Sequence, residues 1–234
     1  MPRPWNAIPI RECGEPLVDL PSFLLRLEPH PYQALGAPYG AEAGPFRLRQ
    51  GVVERLRQAQ EHLRRKEEGA RLAIFDAWRP VTVQAFMVEH AYSQECRVRG
   101  LDPERAGAAQ DAVRTEVGRF WAPASSDPDA PPPHSTGAAV DLTLADPAGL
   151  PLAMGGEIDA IGPVSEPDHW AEAAGEDPHS TAAVWHARRR LLAEAMATAG
   201  FVRHPHEWWH FSCGDQLWAW RSGACLARYG RVPD

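Results

Sequence analysis

Apolar positions recur at helical spacing in two long stretches of the chain. Over Gly51–Glu68 they fall at Val52, Val53, Leu56, Ala59 and Leu63, and Gly69 supplies a stop. Over Ser180–Ala199 the stripe is Val184, Ala187, Leu191, Leu192, Ala195, Met196 and Ala199, with Gly200 just past its end. Val81–Tyr92 and Asp102–Phe120 also read as helices. Leu72-Ala-Ile-Phe75 is a short apolar run bounded by charge, which predicts a buried strand. Ala139–Leu144 alternates, with Val140, Leu142 and Leu144 on one side and Ala139, Asp141 and Thr143 on the other. A strand with its apolar face in the core would therefore present Asp141 on the opposite face. Trp208–Phe211 begins a further strand-like aromatic run, and Gln216–Trp220 reads as one more.

These elements do not alternate regularly, which predicts an α+β fold rather than a parallel α/β sheet. A small antiparallel sheet should carry a site on one face, packed by several helices. The chain of 234 residues is long enough for one sizeable domain. We expect one over 1–234: a Pro- and Gly-rich wrap of loops and short strands over 1–50, and a motif-bearing core over 72–211.

Composition narrows the function classes. The formal charge is -7 and no dense Lys/Arg patch occurs, so nucleic acid is not an expected partner. Arg64-Arg65-Lys66 and Arg188-Arg189-Arg190 lie inside helical patterns and read as solvated faces. No stretch approaches the ~20 apolar residues of a membrane span. The start, Met1-Pro-Arg-Pro-Trp-Asn, has no apolar core of a secretory signal. Cys13, Cys96, Cys213 and Cys225 show no CxxC spacing, and they read as reduced, mostly buried thiols. The expected location is cytoplasmic.

The chemistry is concentrated in two segments. His134-Ser-Thr-Gly-Ala-Ala-Val-Asp141 supplies an imidazole and a carboxylate, and Glu207-Trp-Trp-His210 supplies a second imidazole and a second carboxylate. Two imidazoles and one carboxylate suit Zn²⁺ and leave a fourth position for water. Glu207 stands three residues from a proposed ligand, where it can take a proton from that water. Gly137 lies in a turn that can fold His134 back over the end of the Asp141 strand. His204 and His206 are rival ligands, and Cys213 is a weaker candidate. One geometric problem remains: on an ideal strand Glu207 and His210 point to opposite faces, so a bulge or a preceding turn is required. Asp76-Ala-Trp-Arg79-Pro80 follows the predicted strand, and the proline there projects Arg79 from a rigid turn.

Taken together, Asp76-Ala-Trp-Arg79-Pro80, His134-Ser-Thr-Gly-Ala-Ala-Val-Asp141-Leu-Thr-Leu and Glu207-Trp-Trp-His210-Phe resemble the D-alanyl-D-alanine dipeptidases. These zinc peptidases include the VanX-type vancomycin-resistance enzymes and are related to D,D-carboxypeptidases and to the Hedgehog-type zinc fold. The resemblance runs from about Leu72 to Phe211. It implies His134, Asp141 and His210 as ligands of one zinc, Glu207 as general acid/base, and Arg79 as the stabiliser of the oxyanion. Met154-Gly-Gly-Glu-Ile-Asp159 is similar to the family segment whose aspartate holds the substrate ammonium, which places that role on Asp159. Family members commonly carry a serine two residues before the first histidine, where this chain has Pro132. The implied reaction is hydrolysis of D-Ala-D-Ala to two D-alanines. A D,D- or L,D-carboxypeptidase and a zinc-stabilised binding domain without turnover are the alternatives.

Overall fold

The computed structural model describes residues 3–40 and 44–233, so Met1, Pro2 and three positions of the expected N-terminal wrap lie outside it. Two sheets and seven helices are present among the described residues. Leu17–Asp19 (β1) pairs antiparallel with Arg47–Arg49 (β3) in a small ribbon. The main sheet contains Leu25–Arg26 (β2), Arg71–Asp76 (β4), Ala139–Ala145 (β5), Val202–Arg203 (β6) and His210–Ser212 (β7), in the order β2-β4-β5-β7-β6. Its pairings are antiparallel except at one edge, where β2 runs parallel to β4.

The helices are Pro31–Ala34 (α1), Gln50–Lys66 (α2), Val81–Val98 (α3), Ala108–Phe120 (α4), Ala171–Glu176 (α5), Thr181–Thr198 (α6) and Gln216–Ser222 (α7). Ser180 caps α6 by accepting from the Ala183 N–H at 3.2 Å. Helix α4 begins later than the predicted Asp102, after a turn segment, and α3 runs one and a half turns past Tyr92.

Burial follows the alternation of the strands. Leu72 and Ile74 of β4 and Val140, Leu142 and Leu144 of β5 join one apolar cluster with Leu56 and Leu63 of α2 and Leu192 and Met196 of α6. Phe75 instead packs with a second cluster built from Tyr32, Val83, Met87, Tyr92, Val113, Val117 and Trp121. Asp141 stands on the face away from the first cluster yet is buried, so its carboxylate requires partners there.

Three expectations change. Arg189, in a run expected on a solvated face, is buried, donating from Nε to the Met154 carbonyl at 2.8 Å and from Nη2 to the Val164 carbonyl at 3.0 Å. Gln216–Trp220 is helical, not a strand, because Asp215 accepts from the Trp218 N–H at 2.8 Å and Gly223 closes the helix in the left-handed conformation. The cysteines are not mostly buried: Cys13 and Cys225 are exposed, Cys96 and Cys213 buried, and all four are unpaired. Among the described residues no helix is long and apolar enough to cross a membrane.

Candidate active site

The site is assembled at one end of the sheet by strand register. Asp141 of β5 lies directly opposite His210 of β7, and Asp76 of β4 lies opposite Asp141 on its other side. An irregularity between Ile74 and Asp76 turns the end of β4 into that row. Directly opposed residues hold their Cβ atoms about 5 Å apart, close enough for their side chains to meet. His134 arrives from a single 3₁₀ turn over Pro133–Thr136, and Gly137 at φ 70° reverses the chain into β5. A side chain on Gly137 would meet only the movable end of Leu17, so it is the left-handed φ rather than space that calls for glycine. Buried Arg49 fixes this turn from outside, donating from Nε to the Thr136 carbonyl at 2.8 Å.

The ligand-bearing atoms of His134, Asp141 and His210 all lie within 4.8 Å of one another, and all three residues are buried. Their surroundings decide which lone pairs face inward. His134 Nδ1 is 2.7 Å from the Ala77 carbonyl, which can accept but not donate, so Nδ1 carries the proton and Nε2 faces the site. The Ser212 hydroxyl donates to Asp215 Oδ2 at 2.8 Å and can only accept from His210 Nε2 at 3.3 Å. His210 Nδ1 therefore also presents a lone pair inward. His134 Nε2 stands 3.2 Å from His210 Nδ1 and 3.1 Å from Asp141 Oδ2, and His210 Nδ1 is 3.0 Å from Asp141 Oδ1. Three electron-pair donors thus converge without a hydrogen between them, and a cation is what such a cluster accommodates. Each imidazole is oriented by an outer partner, as metal-binding histidines usually are.

Burial raises the Asp141 carboxyl, and only a positive charge at the cluster (an imidazole protonated on its inward nitrogen, or a cation in its place) outweighs that and holds the group below the usual carboxylate range. Glu207 is buried beside them, with Oε2 3.7 Å from His210 Nδ1 and Oε1 3.6 Å from His204 Nδ1. Desolvation, aided by the charge of Asp141, pushes Glu207 well above its ordinary value. The geometric problem of the Glu207–His210 spacing resolves without a bulge. Glu207 lies in the bend before β7, so strand parity does not apply to it.

Arg79 is buried under this row. It donates to Asp76 Oδ2 from Nε at 3.0 Å and from Nη2 at 2.7 Å, to Gln84 Oε1 at 2.8 Å, and more loosely to Asp141 Oδ2 at 3.5 Å. Asp76 is itself fully buried and is held also by His30 Nε2 at 3.1 Å and the Tyr39 hydroxyl at 3.2 Å. Burial would raise Asp76, and the charge of Arg79 leads the contacts that keep it low. Arg79 therefore stays charged while separating two opposed carboxylates. Its guanidinium lies 4.9 Å from the Tyr32 ring and 5.2 Å from the Trp121 ring.

Asp159 faces the same pocket from the far wall, where its Oδ2 accepts from the Tyr32 hydroxyl at 2.7 Å. It adopts the left-handed conformation at φ 66°, which costs a non-glycine residue conformational energy. Desolvation first, and the charge of Asp141 second, push its carboxyl up to about 7.

All six predicted site residues line one pocket: Arg79, His134, Asp141, Asp159, Glu207 and His210. The rivals separate from the ligand cluster. His206 is exposed and pairs with Glu166 at 3.0 Å. His204 is buried, but with its ring against Trp5 and His210. Cys213 sits in the main apolar cluster, where burial raises its thiol to about 11. Sequence reasoning missed Tyr32, Asp76, Gln84, Trp121 and Arg3 as parts of the site. Asp76 carried a usable signal, a carboxylate at the end of an apolar strand three residues before an arginine.

Comparison with known proteins gives the site its context. The family model described as D-ala-D-ala dipeptidase matches residues 26–227. The chain belongs to the D-Ala-D-Ala dipeptidase family. It is an enzyme of the metallopeptidase class. A D-alanyl-D-alanine dipeptidase of Synechocystis sp. is 42% identical, covering 98% of this chain and 97% of the relative. The Streptomyces coelicolor enzyme of the same name is 31% identical over 69% of this chain and 70% of its own. Among solved structures, the vancomycin-resistance D,D-pentapeptidase VanY in complex with Zn(II) covers 94% of this chain and 96% of its own, at 14% identity and a TM-score of 0.45. The L,D-carboxypeptidase LdcB covers 86% and 69%, at 15% identity and a TM-score of 0.41.

Proposed function

We propose that the chain is a zinc-dependent dipeptidase that hydrolyses D-Ala-D-Ala to two D-alanines, working as one catalytic unit over its whole length. The observation that carries this reading is the convergence of three proton-free donor atoms, from His134, Asp141 and His210, beside a buried carboxylate. Those residues would hold one Zn²⁺, which when bound lowers the pKa of a water to about 7 and polarises a carbonyl.

The remaining roles belong to side chains. Glu207, raised by burial, is suited to take a proton from the attacking water and return it to the leaving amine. Arg79 has five N–H donors, of which the contacts above engage Nε, one on Nη1 and both on Nη2, so one on Nη1 is left for a developing oxyanion. Its hold on Asp76 means that no donor must reorganise as that charge forms. Asp159 and Tyr32 would receive the substrate ammonium, because a desolvated carboxyl regains its charge against a cation. A bound cation thus finds its counter-charge already placed. The four unpaired cysteines, two of them exposed, support work in a reducing compartment, which we take to be the cytoplasm.

N-acetylated D-Ala-D-Ala tests the reading against a carboxypeptidase. Capping removes the ammonium and leaves Asp159 unmatched, so kcat/KM should fall at least ~10-fold, the equivalent of ~1.4 kcal/mol. Asp159→Asn should narrow that ratio while lowering activity on the free dipeptide. Equal turnover of free and capped substrate by the wild type would exclude a dipeptidase and favour a carboxypeptidase.

A further inference from the structure

A free dipeptide carries a carboxylate as well as an ammonium, and the residues assigned so far provide for one charge. Asp159 and Tyr32 are anionic or neutral. Arg79 has its charge offset by Asp76 and Asp141, and its one remaining N–H is the donor assigned to the oxyanion. The other arginine that lines the pocket is Arg3. It reaches the site from the N-terminal end of the described chain and stands where the pocket meets a neighbouring depression walled by Pro131, Pro132 and Pro133. Those prolines have no N–H to offer, and their carbonyls repel an anion. A carboxylate on that side has one strong donor within the lining, the Arg3 guanidinium.

Arg3 is held in place. Trp5 is buried, 5.6 Å from the ring of His204 and 5.6 Å from that of Trp220. Gln216 Nε2 donates to the carbonyls of Asn6 at 3.3 Å and Ile8 at 2.7 Å, and Ile10 bridges to Ala227. The guanidinium donates from Nη1 to the Arg119 carbonyl at 2.8 Å and from Nη2 to the Gly118 carbonyl at 3.0 Å, at the C-terminal end of α4. Those two bonds orient the fork and leave three N–H groups. Among the described residues no carboxylate lies within ion-pair distance of Arg3; burial lowers its pKa, and the charge of Glu207 in the same pocket offsets part of that. A partly desolvated arginine with unspent donors, facing a catalytic pocket and lacking a counter-ion, is an anion site.

We propose that Arg3 binds the terminal carboxylate of the substrate, so that Arg3 and Asp159 together bracket a short zwitterion and limit the enzyme to free dipeptides. This rests on the dipeptidase reading above. The competing role for Arg3 is purely structural, completing the carbonyl end of α4, where a cation is favourable in any case.

The test compares D-Ala-D-Ala with its C-terminal amide on zinc-loaded wild type, Arg3→Ala and Arg3→Lys. Wild type should prefer the acid by ~10-fold or more in kcat/KM. Arg3→Ala should lower kcat/KM on the acid by roughly that factor, mainly through KM, with a several-fold smaller loss on the amide, so that the acid-to-amide ratio moves towards one. Arg3→Lys should restore part of the ratio, since a point charge replaces the fork. Equal losses on acid and amide in Arg3→Ala, with a lowered Tm, would assign the residue to α4 alone and overturn the proposal. An unchanged ratio in Arg3→Ala would also overturn it, while turnover of D-Ala-D-Ala by the wild type would leave the dipeptidase reading standing. A zinc-loaded wild type that cleaves neither acid nor amide would remove both.

Discussion

Glu207→Gln should retain one zinc per chain and lose ~10²–10⁴-fold in kcat, the scale of a general base. The amide keeps the volume and part of the hydrogen bonding of the carboxyl in its buried place before β7, so the fold is preserved. What disappears is the ability to accept a proton. Glu207 lies at 3.7 Å from His210 Nδ1, outside the tight cluster in which the three proposed ligands stand 3.0–3.2 Å apart. That spacing is the reason to expect a base here rather than a fourth ligand. Elemental analysis and single-turnover kinetics on the same preparation check it. A variant that loses its metal, but whose remaining metal-loaded fraction is fully active, would make Glu207 a ligand or a supporting residue.

His134→Ala, Asp141→Ala and His210→Ala should each abolish stoichiometric zinc and, with it, all measurable activity. Each substitution removes one of three protein donors, and two donors do not make a closed site for this ion. His204→Ala and His206→Ala should keep their zinc, since His206 is exposed against Glu166 and neither belongs to the convergent cluster. Inductively coupled plasma measurement of zinc per chain settles the set. Full zinc in all three of the first variants would refute the assignment, and full zinc in His210→Ala with loss in His204→Ala would move the third ligand to His204.

The features legible in the sequence are those whose signal is local. Val140, Leu142 and Leu144 alternate with Asp141, which is enough to put a carboxylate on the face opposite a core, and that is where it lies. Gly137 announced a turn that its φ of 70° requires. The stripe of α6 was legible in its second half, where Leu192, Ala195, Met196 and Ala199 are buried, but Val184 and Ala187 are exposed. Gln216–Trp220 was misread because Leu217 and Ala219 alternate with two tryptophans, and five residues cannot separate a period of two from one of 3.6. The flanks decide it, Asp215 as cap and Gly223 as stop, and both were present in the sequence.

What could not be read is the contribution of the N-terminal third. Tyr32 meets Asp159 across 127 positions, and His30 and Tyr39 meet Asp76 across 46 and 37. Such pairings leave no periodicity behind, because each residue is chosen for a partner far along the chain and not for its neighbours. The N-terminal segment packs Leu20, Leu24, Phe46 and Leu48 on the main cluster and also completes the pocket, through Arg3, Trp5 and Tyr32. Asp76 is an intermediate case. Its place in Asp76-Ala-Trp-Arg79-Pro80 was visible, but its duty as the counter-ion of Arg79 depends on a sheet register that puts it opposite Asp141.

The most direct test of the zinc dipeptidase reading is a zinc titration of the chelator-stripped protein, with D-alanine release from D-Ala-D-Ala followed against zinc bound per chain. L-Ala-L-Ala runs in parallel. Release should rise in proportion to occupancy, saturate at one zinc per chain and exceed the rate on the L,L-dipeptide. No release of D-alanine at full occupancy, or equal rates on the two dipeptides, would contradict that reading.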